Sequence, residues 1–205
     1  MDTIQKLTEL FKQFPGIGPR QAKRFVYFLL AQKKDYSDEL SKLVKDLKQE
    51  IACCEMCFRF FPKDKSDAKL CSVCRDEKRD KTLLMVVSRD VDFENVEKTR
   101  SFNGYYFVLG GVVPILEKNP EEMIREKEIL DIVSKRSKNG LKEIILALDY
   151  NPEGENTRDH ISRLLGPLGM KLGFKLSSLG RGLSTGSELE YSDSDTIKDA
   201  LQSRK

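Results

Sequence analysis

The first fifty residues carry apolar side chains at the three- and four-residue spacing of amphipathic helices. One series predicts a helix over residues 3–13 and consists of Ile4, Leu7, Leu10, Phe11 and Phe14. A second series follows Pro19 and consists of Ala22, Phe25, Val26 and Leu29. The pattern then continues through Leu40, Leu43, Val44, Leu47 and Ile51. Pro-Gly-Ile-Gly-Pro separates the first two series and predicts a tight turn between their helices.

The pattern changes after residue 81 to continuous apolar runs of strand length. Three of these runs are TLLMVVS, YYFVLGG and EIILALD, and a further short strand is predicted at 174–179. Helical stretches lie between them, at about 90–100, 121–137 and 157–166. Buried strands that alternate with helices predict a mostly parallel sheet covered on both faces. In such sheets, functional residues collect at the carboxyl ends of the strands.

Composition narrows the protein class. Charged residues make up 34% of the 205 residues, and no apolar run approaches the roughly 18 residues of a membrane helix. The first fourteen residues alternate charged and apolar side chains, which differs from a signal peptide. We therefore expect a cytoplasmic protein whose five cysteines are thiols or metal ligands rather than disulfides.

The net charge of +3 hides an uneven distribution. The segment Lys12–Lys34 has six basic residues and no acidic residue, whereas Ser187–Asp199 has five acids and one lysine. The basic segment suits a polyanion, and the acidic tail suits a protein or metal contact. Both segments are equally compatible with solvated faces of helices.

The basic segment contains the turn that joins the first two helices. Gly16, Gly18 and Ala22 follow the pattern of a helix-hairpin-helix module, which this segment resembles. Glycines allow close approach of another group to the backbone, and the N–H groups at a helix start attract anions. Arg20, Lys23 and Arg24 add positive charge, so the segment predicts sequence-independent contacts with DNA phosphates. The alternative is a simple helical hairpin with a structural turn.

The cysteines form two Cys-x-x-Cys pairs. Cys54 and Cys57 are separated by thirteen residues from Cys71 and Cys74, and this pattern is typical of a tetrahedral zinc site. Cys53 is interpreted as an ordinary cysteine, because only Cys54 gives the two-residue gap of the second pair. Four thiolates leave no open position, so one structural zinc per chain is expected. Redox chemistry or unpaired thiols are the alternatives.

Acidic residues follow the third apolar strand. Asp149, Asn151, Glu153 and Glu155 come directly after EIILALD, and this arrangement resembles a Toprim domain. Toprim enzymes also use a glutamate at the end of the first strand, where this chain has Ser88, and neither Asp90 nor Asp92 is in register to replace it. The acids are therefore either divalent-metal ligands or an acidic surface loop. His160, the only histidine, is predicted to be a solvated surface residue.

The order of these segments over nearly the whole chain resembles the RecR family of bacterial recombination mediators. The segments are FPGIGPRQA, the cysteine pairs followed by CRDEKRD, GYYFVLGG followed by Pro114, EGE, and the ending GRGLSTGSELEYSDSDTIKDAL. The predicted boundaries are 1–52 for the helix-hairpin-helix, 53–78 for the zinc finger, 79–178 for the Toprim-like domain and 179–205 for a helical tail. The departures from the family are Ser88, Asn151, LEKNPEE after Pro114, and the serine-threonine pair in LSTGSELEY.

The resemblance implies a DNA-binding protein that is not an enzyme. It implies dimers that join into a ring-like tetramer, partnership with RecO, RecF or both, and help in loading RecA onto strands coated by single-strand-binding protein. It also implies that the C-terminal segment contributes to the oligomer, and that Asp149, Glu153 and Glu155 contact a partner; whether they bind magnesium stays open. The alternatives are a metal-dependent Toprim nuclease or primase-like enzyme, which requires the carboxylate missing at Ser88, and an adaptor that binds only protein.

Overall fold

The computed structural model describes residues 1–63, 69–180, 190 and 194–202. The chain divides into two compact units, Met1–Ala52 and Cys53–Lys205. Within the described ranges, no helix has the length and apolar character needed to cross a membrane. Most of the ending GRGLSTGSELEYSDSDTIKDAL, including the serine-threonine pair, lies outside the described residues.

The first unit contains the three predicted helices. They are α1 (Thr3–Lys12), α2 (Pro19–Ala31) and α3 (Lys34–Glu50). Helix α1 begins where the Asp2 side chain accepts a hydrogen bond from the backbone N–H of Gln5, while the Gln5 side chain caps Asp2 in return. The rings of Phe11 and Phe25 meet edge to face at 5.7 Å and pack α1 against α2.

The cysteine segment forms short elements that apolar periodicity does not predict. A two-stranded sheet joins β1 (Ile51–Cys53) to β2 (Phe60–Pro62), and α4 (Ser72–Arg75) follows. The prediction that the third helix extends through Ile51 is wrong by one residue, because Ile51 already has extended backbone angles and starts β1. Elements of three and four residues are too short to show a period.

The second unit is built on a four-stranded parallel sheet in the order β4-β3-β5-β6. Its strands are β3 (Asp80–Val87), β4 (Gly104–Val108), β5 (Glu143–Ala147) and β6 (Lys175–Ser178). Every residue of β4 is buried, as expected for a strand covered on both faces. Val87 pairs with Val108 on one side and with Ala147 on the other, so the carboxyl ends of three strands lie side by side. The predicted parallel α/β architecture is confirmed.

Besides α4, the described helices of this unit are α5 (Asp90–Thr99), α6 (Pro120–Met123), α7 (Glu126–Ser137), α8 (Pro152–Leu172) and α9 (Ser194–Gln202). The single helix predicted over 121–137 is interrupted, because Ile124 is extended and the N–H of Arg125 donates to the carbonyl of Leu109 at 2.9 Å. Helix α8 is longer than the predicted 157–166, since Asn151 caps it and it continues through Pro167. The predicted helical tail is present as α9.

A partly buried polar cluster fixes α5 against β4. Arg79 forms an ion pair with Glu97 and donates a hydrogen bond to the carbonyl of Gly104 at 3.1 Å. The hydroxyl of Tyr106 donates to the same Glu97 carboxylate at 2.8 Å. Burial, reinforced by this hydrogen bond, raises the pKa of Tyr106. The cluster satisfies charges that would otherwise be costly at this depth.

Candidate metal centre and nucleic-acid interface

The four cysteines of the two pairs converge on one point. Their sulfur atoms all lie within 4.8 Å of one another, all four residues are buried, and the sulfurs of Cys57 and Cys71 are 3.6 Å apart. A tetrahedral zinc with bonds of about 2.3 Å would place its sulfurs about 3.8 Å apart. Among the described residues, this is the only group of three or more potential ligands that lie so close together. The arrangement fits a four-coordinate metal ion.

The backbone holds these thiols in place. Phe58 has a φ of 61°, in the left-handed region, and its N–H donates to the carbonyl of Cys54 at 3.0 Å. The N–H of Cys71 donates to the sulfur of Cys54 at 3.4 Å. Hydrogen bonds from the thiols of Cys57, Cys71 and Cys74 hold the pKa of Cys54 below its usual range. The cluster therefore favours the thiolate at Cys54, which is the form that binds metal, whereas hydrogen bonding to Cys54 raises the pKa of Cys57 and Cys74.

Cys53 lies outside the cluster. Its side chain is exposed, and its thiol donates to the carbonyl of Phe58 at 3.4 Å. The four cysteines that the structure brings together are thus the four selected by their spacing.

The segment that begins at the first cysteine pair is attached to the four-stranded parallel sheet. The N–H of Val108, the last residue of β4, donates to the carbonyl of Cys57 at 2.8 Å. The rings of Phe58 and Phe107 pack at 5.4 Å. The N–H of Phe60 donates to the carboxylate of Asp90 at 2.7 Å. These contacts join Cys57 and the residues that follow it to the parallel sheet and to α5.

Among the described residues, no group of three or more acidic side chains converges at the carboxyl edge of the sheet. Ser88 is 1% exposed, and no described residue hydrogen-bonds to its hydroxyl. The carboxylates of Asp149, Glu153 and Glu155 are not brought within 4.8 Å of one another. Asp90 accepts a hydrogen bond from the N–H of Phe60. Asp92 accepts a hydrogen bond from the N–H of Arg89 at 2.9 Å, so both of these aspartates have structural partners.

The turn after β5 requires a close backbone approach. The side chain of Asn151 caps α8 by accepting a hydrogen bond from the N–H of Gly154 at 2.7 Å. A Cβ atom at Gly154 would lie 2.2 Å from the carbonyl oxygen of Asp149, so only glycine fits there. Glu153 and Glu155 occupy the first turn of α8, where the helix dipole favours negative charge. Asp149 and Glu153 are exposed and available for contact.

The prediction that His160 is a solvated surface residue is wrong. Its ring nitrogen Nε2 lies 2.6 Å from the Glu126 carboxylate, and both side chains are about one-fifth exposed. The pair connects α7 to α8, so His160 has a structural role.

Arg136 was not predicted from the sequence, because it lies within the regular pattern of α7. It is 7% exposed, and its guanidinium carbon lies 4.2 Å from the centre of the Tyr105 ring. Burial lowers the pKa of Arg136, whereas negative charge on Cys74, Tyr105 and Cys57 raises it. Cys74 of the thiol cluster is thus among the groups that offset the burial of this cation.

The hairpin of the first unit presents glycines and cations on one exposed surface. Gly16 has a φ of +75°, which favours glycine, whereas Gly18 is extended and caps α2 without a side-chain hydrogen bond. Nothing lies within 4 Å of a Cβ built at either glycine. The three basic residues of the turn are exposed, and they are Arg20, Lys23 and Arg24. Ala22, by contrast, is fully buried against the other helices.

Tyr27 adds an exposed aromatic ring that was not selected from the sequence. It follows Lys23 by one helical turn of α2, and the ammonium group of Lys23 lies 5.9 Å from the centre of its ring. The only sequence signal is the four-residue spacing of the two residues, which places them on the same helix face.

Comparisons with known proteins agree with this architecture. Residues 82–178 match the Toprim domain, residues 4–48 match the RecR helix-hairpin-helix, and residues 182–205 match the RecR C-terminal region. The chain is 34% identical to the recombination protein RecR of Bifidobacterium longum (strain DJO10A) over 203 residues, which cover 98% of this chain and 95% of that protein. It is 33% identical to the recombination protein RecR of Myxococcus xanthus (strain DK1622), with 100% and 98% coverage. The chain therefore belongs to the RecR family of recombination proteins.

Proposed function

We propose that this protein is a recombination mediator that binds DNA through phosphate contacts at the hairpin. The observation that carries the proposal is the amino terminus of α2, where no side chain caps the helix and exposed cations surround the turn. The free N–H groups and the helix dipole form an anion site, and the open space at Gly18 permits close approach. Arg20, Lys23 and Arg24 supply charge that displaces counterions from DNA.

This mode of binding is independent of base sequence, because phosphate contacts position a protein without reading base edges. A Lys23→Glu, Arg24→Glu variant tests it. Each lost phosphate contact is expected to reduce the slope of log affinity against log salt by about 0.7 to 0.9, equally on every DNA sequence. The matched control is Lys42→Glu, Lys48→Glu, which makes the same charge change on exposed positions of α3. If the hairpin variant and the parent have equal affinity for DNA, the hairpin has only a structural role.

We infer that Cys54, Cys57, Cys71 and Cys74 hold one zinc ion per chain. Zinc bound by four thiolates has no open position for substrate, so its role is to stabilise the segment. The geometry of the four buried sulfurs supports this inference. Elemental analysis of the purified protein is expected to find about one zinc per chain.

We further propose that the protein has no nuclease or topoisomerase activity. The buried hydroxyl of Ser88 stands where Toprim enzymes carry a metal-binding carboxylate, and the acids after β5 do not converge. Supercoiled and linear DNA incubated with the protein and Mg²⁺ or Mn²⁺ should remain intact. DNA cleavage that is lost in Asp149→Ala would favour the alternative, a metal-dependent Toprim enzyme.

The proposed partners follow from membership of the family. We propose that the protein acts in the cytoplasm with RecO, RecF or both, and that it helps to load RecA onto DNA coated by single-strand-binding protein. Asp149, Glu153 and Glu155 are proposed to contact a partner, and residues 179–205 to contribute to a dimer or a tetrameric ring. We propose the same domain boundaries as from the sequence, namely 1–52, 53–78, 79–178 and 179–205. The mass of the assembly in solution, measured with and without DNA, tests the oligomeric state.

A further inference from the structure

Arg136 is a buried cation with unused hydrogen-bond donors. It lies in the last turn of α7 and is 7% exposed. Its Nε and Nη2 atoms are buried, and neither has a hydrogen-bond partner among the described residues. The stacked Tyr105 ring offers an attractive face but no anion. A guanidinium at this depth is costly unless a negative charge lies nearby.

The thiol cluster can supply that charge. Arg136 and Cys74 line the same cavity, which has a volume of about 480 Å³ and includes Met56, Lys81, Tyr105 and Asn139. Lys81 also carries positive charge, but its side chain is exposed and can be solvated by water. Arg136 is therefore the buried cation beside the cluster.

Four thiolates around one Zn²⁺ carry a net charge of −2. Removing such a charge from water is unfavourable unless neighbouring groups compensate for it. Backbone N–H groups of Cys57 and Cys71 donate to the sulfur of Cys54, and that of Cys74 donates to the sulfur of Cys71. These donors are neutral, so the net charge of the cluster remains.

We propose that Arg136 is a positioning residue of the metal centre, whose guanidinium, from the cavity that it shares with Cys74, neutralises part of the charge of the four thiolates. The inference rests on the zinc site proposed above. It accounts for two observations at once, a buried guanidinium whose Nε and Nη2 have no partner among the described residues and the net charge of the cluster. It also links metal binding to the α/β unit, because Arg136 belongs to α7 and Tyr105 to β4.

The test removes the charge of Arg136 and then restores it. Arg136→Met keeps an unbranched apolar stem but removes the guanidinium and its charge, and Arg136→Lys keeps a positive charge. Zinc affinity is measured by chelator competition, and groups in this position typically change metal affinity by about 10- to 100-fold. We expect a loss of that size in Arg136→Met and partial recovery in Arg136→Lys. The matched control is Arg158→Met, since Arg158 also stacks on a tyrosine, Tyr150, at 4.5 Å.

A second readout separates electrostatics from packing. In the cobalt-substituted protein, loss of the cation should shift the sulfur-to-metal charge-transfer band to lower energy, because the thiolates become better electron donors. Arg136→Lys should keep the band near its original position, and Arg158→Met should not move it. The measurement uses the full chain loaded with Co²⁺. If Arg136→Met folds poorly, Arg136→Lys still tests the inference, because its band must lie near that of the parent.

Failure of this inference can be distinguished from failure of the zinc proposal by the zinc content of the parent protein. Parent protein without bound zinc would overturn both the zinc assignment and this inference. Parent protein with one zinc, together with an unchanged affinity and an unshifted band in Arg136→Met, would overturn this inference alone. In that case Arg136 would serve only to pack against Tyr105.

Discussion

Gly18 offers a test of phosphate binding that leaves both charge and fold intact. Its backbone is extended, with φ −80° and ψ 168°, and nothing lies within 4 Å of a Cβ built on it. In Gly18→Ala, reduced freedom of the unfolded chain stabilises the fold by about 0.4 to 1 kcal/mol. Loss of the glycine preferred at a helix start costs a similar amount. The free energy of unfolding should therefore change by less than about 1 kcal/mol.

DNA binding should respond quite differently to the same substitution. The added methyl group stands where a phosphate must come within hydrogen-bond distance of the N–H groups of α2. Loss of one hydrogen bond to a charged group costs about 1.5 to 3 kcal/mol. Since each 1.4 kcal/mol is about tenfold in affinity, we expect binding roughly 10- to 100-fold weaker. The slope of log affinity against log salt should remain unchanged, because no charge is removed.

The assay is fluorescence anisotropy of labelled single- and double-stranded DNA at several salt concentrations, paired with urea denaturation of the same samples. Gly166→Ala is the matched control, because Gly166 also has open space around its Cβ position but lies in α8. Gly16→Ala should lose binding together with about 1 to 2 kcal/mol of stability, owing to its positive φ. Unchanged DNA affinity in Gly18→Ala would refute close approach of phosphate to this backbone.

Three further predictions concern the second unit. Cys53→Ser should leave the zinc content unchanged and Cys71→Ser should lower it, as measured by elemental analysis, because only Cys71 belongs to the cluster; zinc content that depends on Cys53 would contradict the assignment. Gly154→Ala should lower the free energy of unfolding by about 3 kcal/mol in urea denaturation, because its Cβ would lie 2.2 Å from a backbone oxygen. A urea midpoint equal to that of the parent would show that the turn can relax. The N–H of Val113 donates to the Thr157 hydroxyl at 2.8 Å, and Thr157→Val removes this buried acceptor. The free energy of unfolding should therefore fall by about 1 to 3 kcal/mol in the same assay. An unchanged value would mean that another acceptor replaces the hydroxyl.

Features that depend on neighbouring residues in the sequence were predictable. The hairpin follows from helical spacing interrupted by glycine and proline, and its three helices are present. The cysteine cluster follows from paired spacing, because two such pairs can reach one metal ion. The parallel sheet follows from short apolar runs that alternate with helices, and all of its strand pairs are parallel.

Features that depend on distant residues were not predictable. The interruption of the helix at Arg125 arises from a hydrogen bond to Leu109, sixteen residues earlier in the chain. The pairing of His160 with Glu126 joins residues 34 positions apart, so the polar neighbours of His160 in the sequence gave a wrong prediction. Arg136 looks like any basic residue near the end of a helix, and only the folded chain places it beside the thiol cluster.

The burial of Ser88 has a consequence for the evolution of this protein. Its side chain is 1% exposed and lies directly after β3, at the carboxyl edge of the sheet. A serine-to-glutamate change would replace the buried hydroxyl with a methylene and a carboxylate, with overpacking and the burial of a charge as costs. A lineage that had lost the glutamate would therefore not regain a Toprim catalytic site by one substitution. Neighbouring side chains would have to become smaller first, and selection for stability opposes such intermediates.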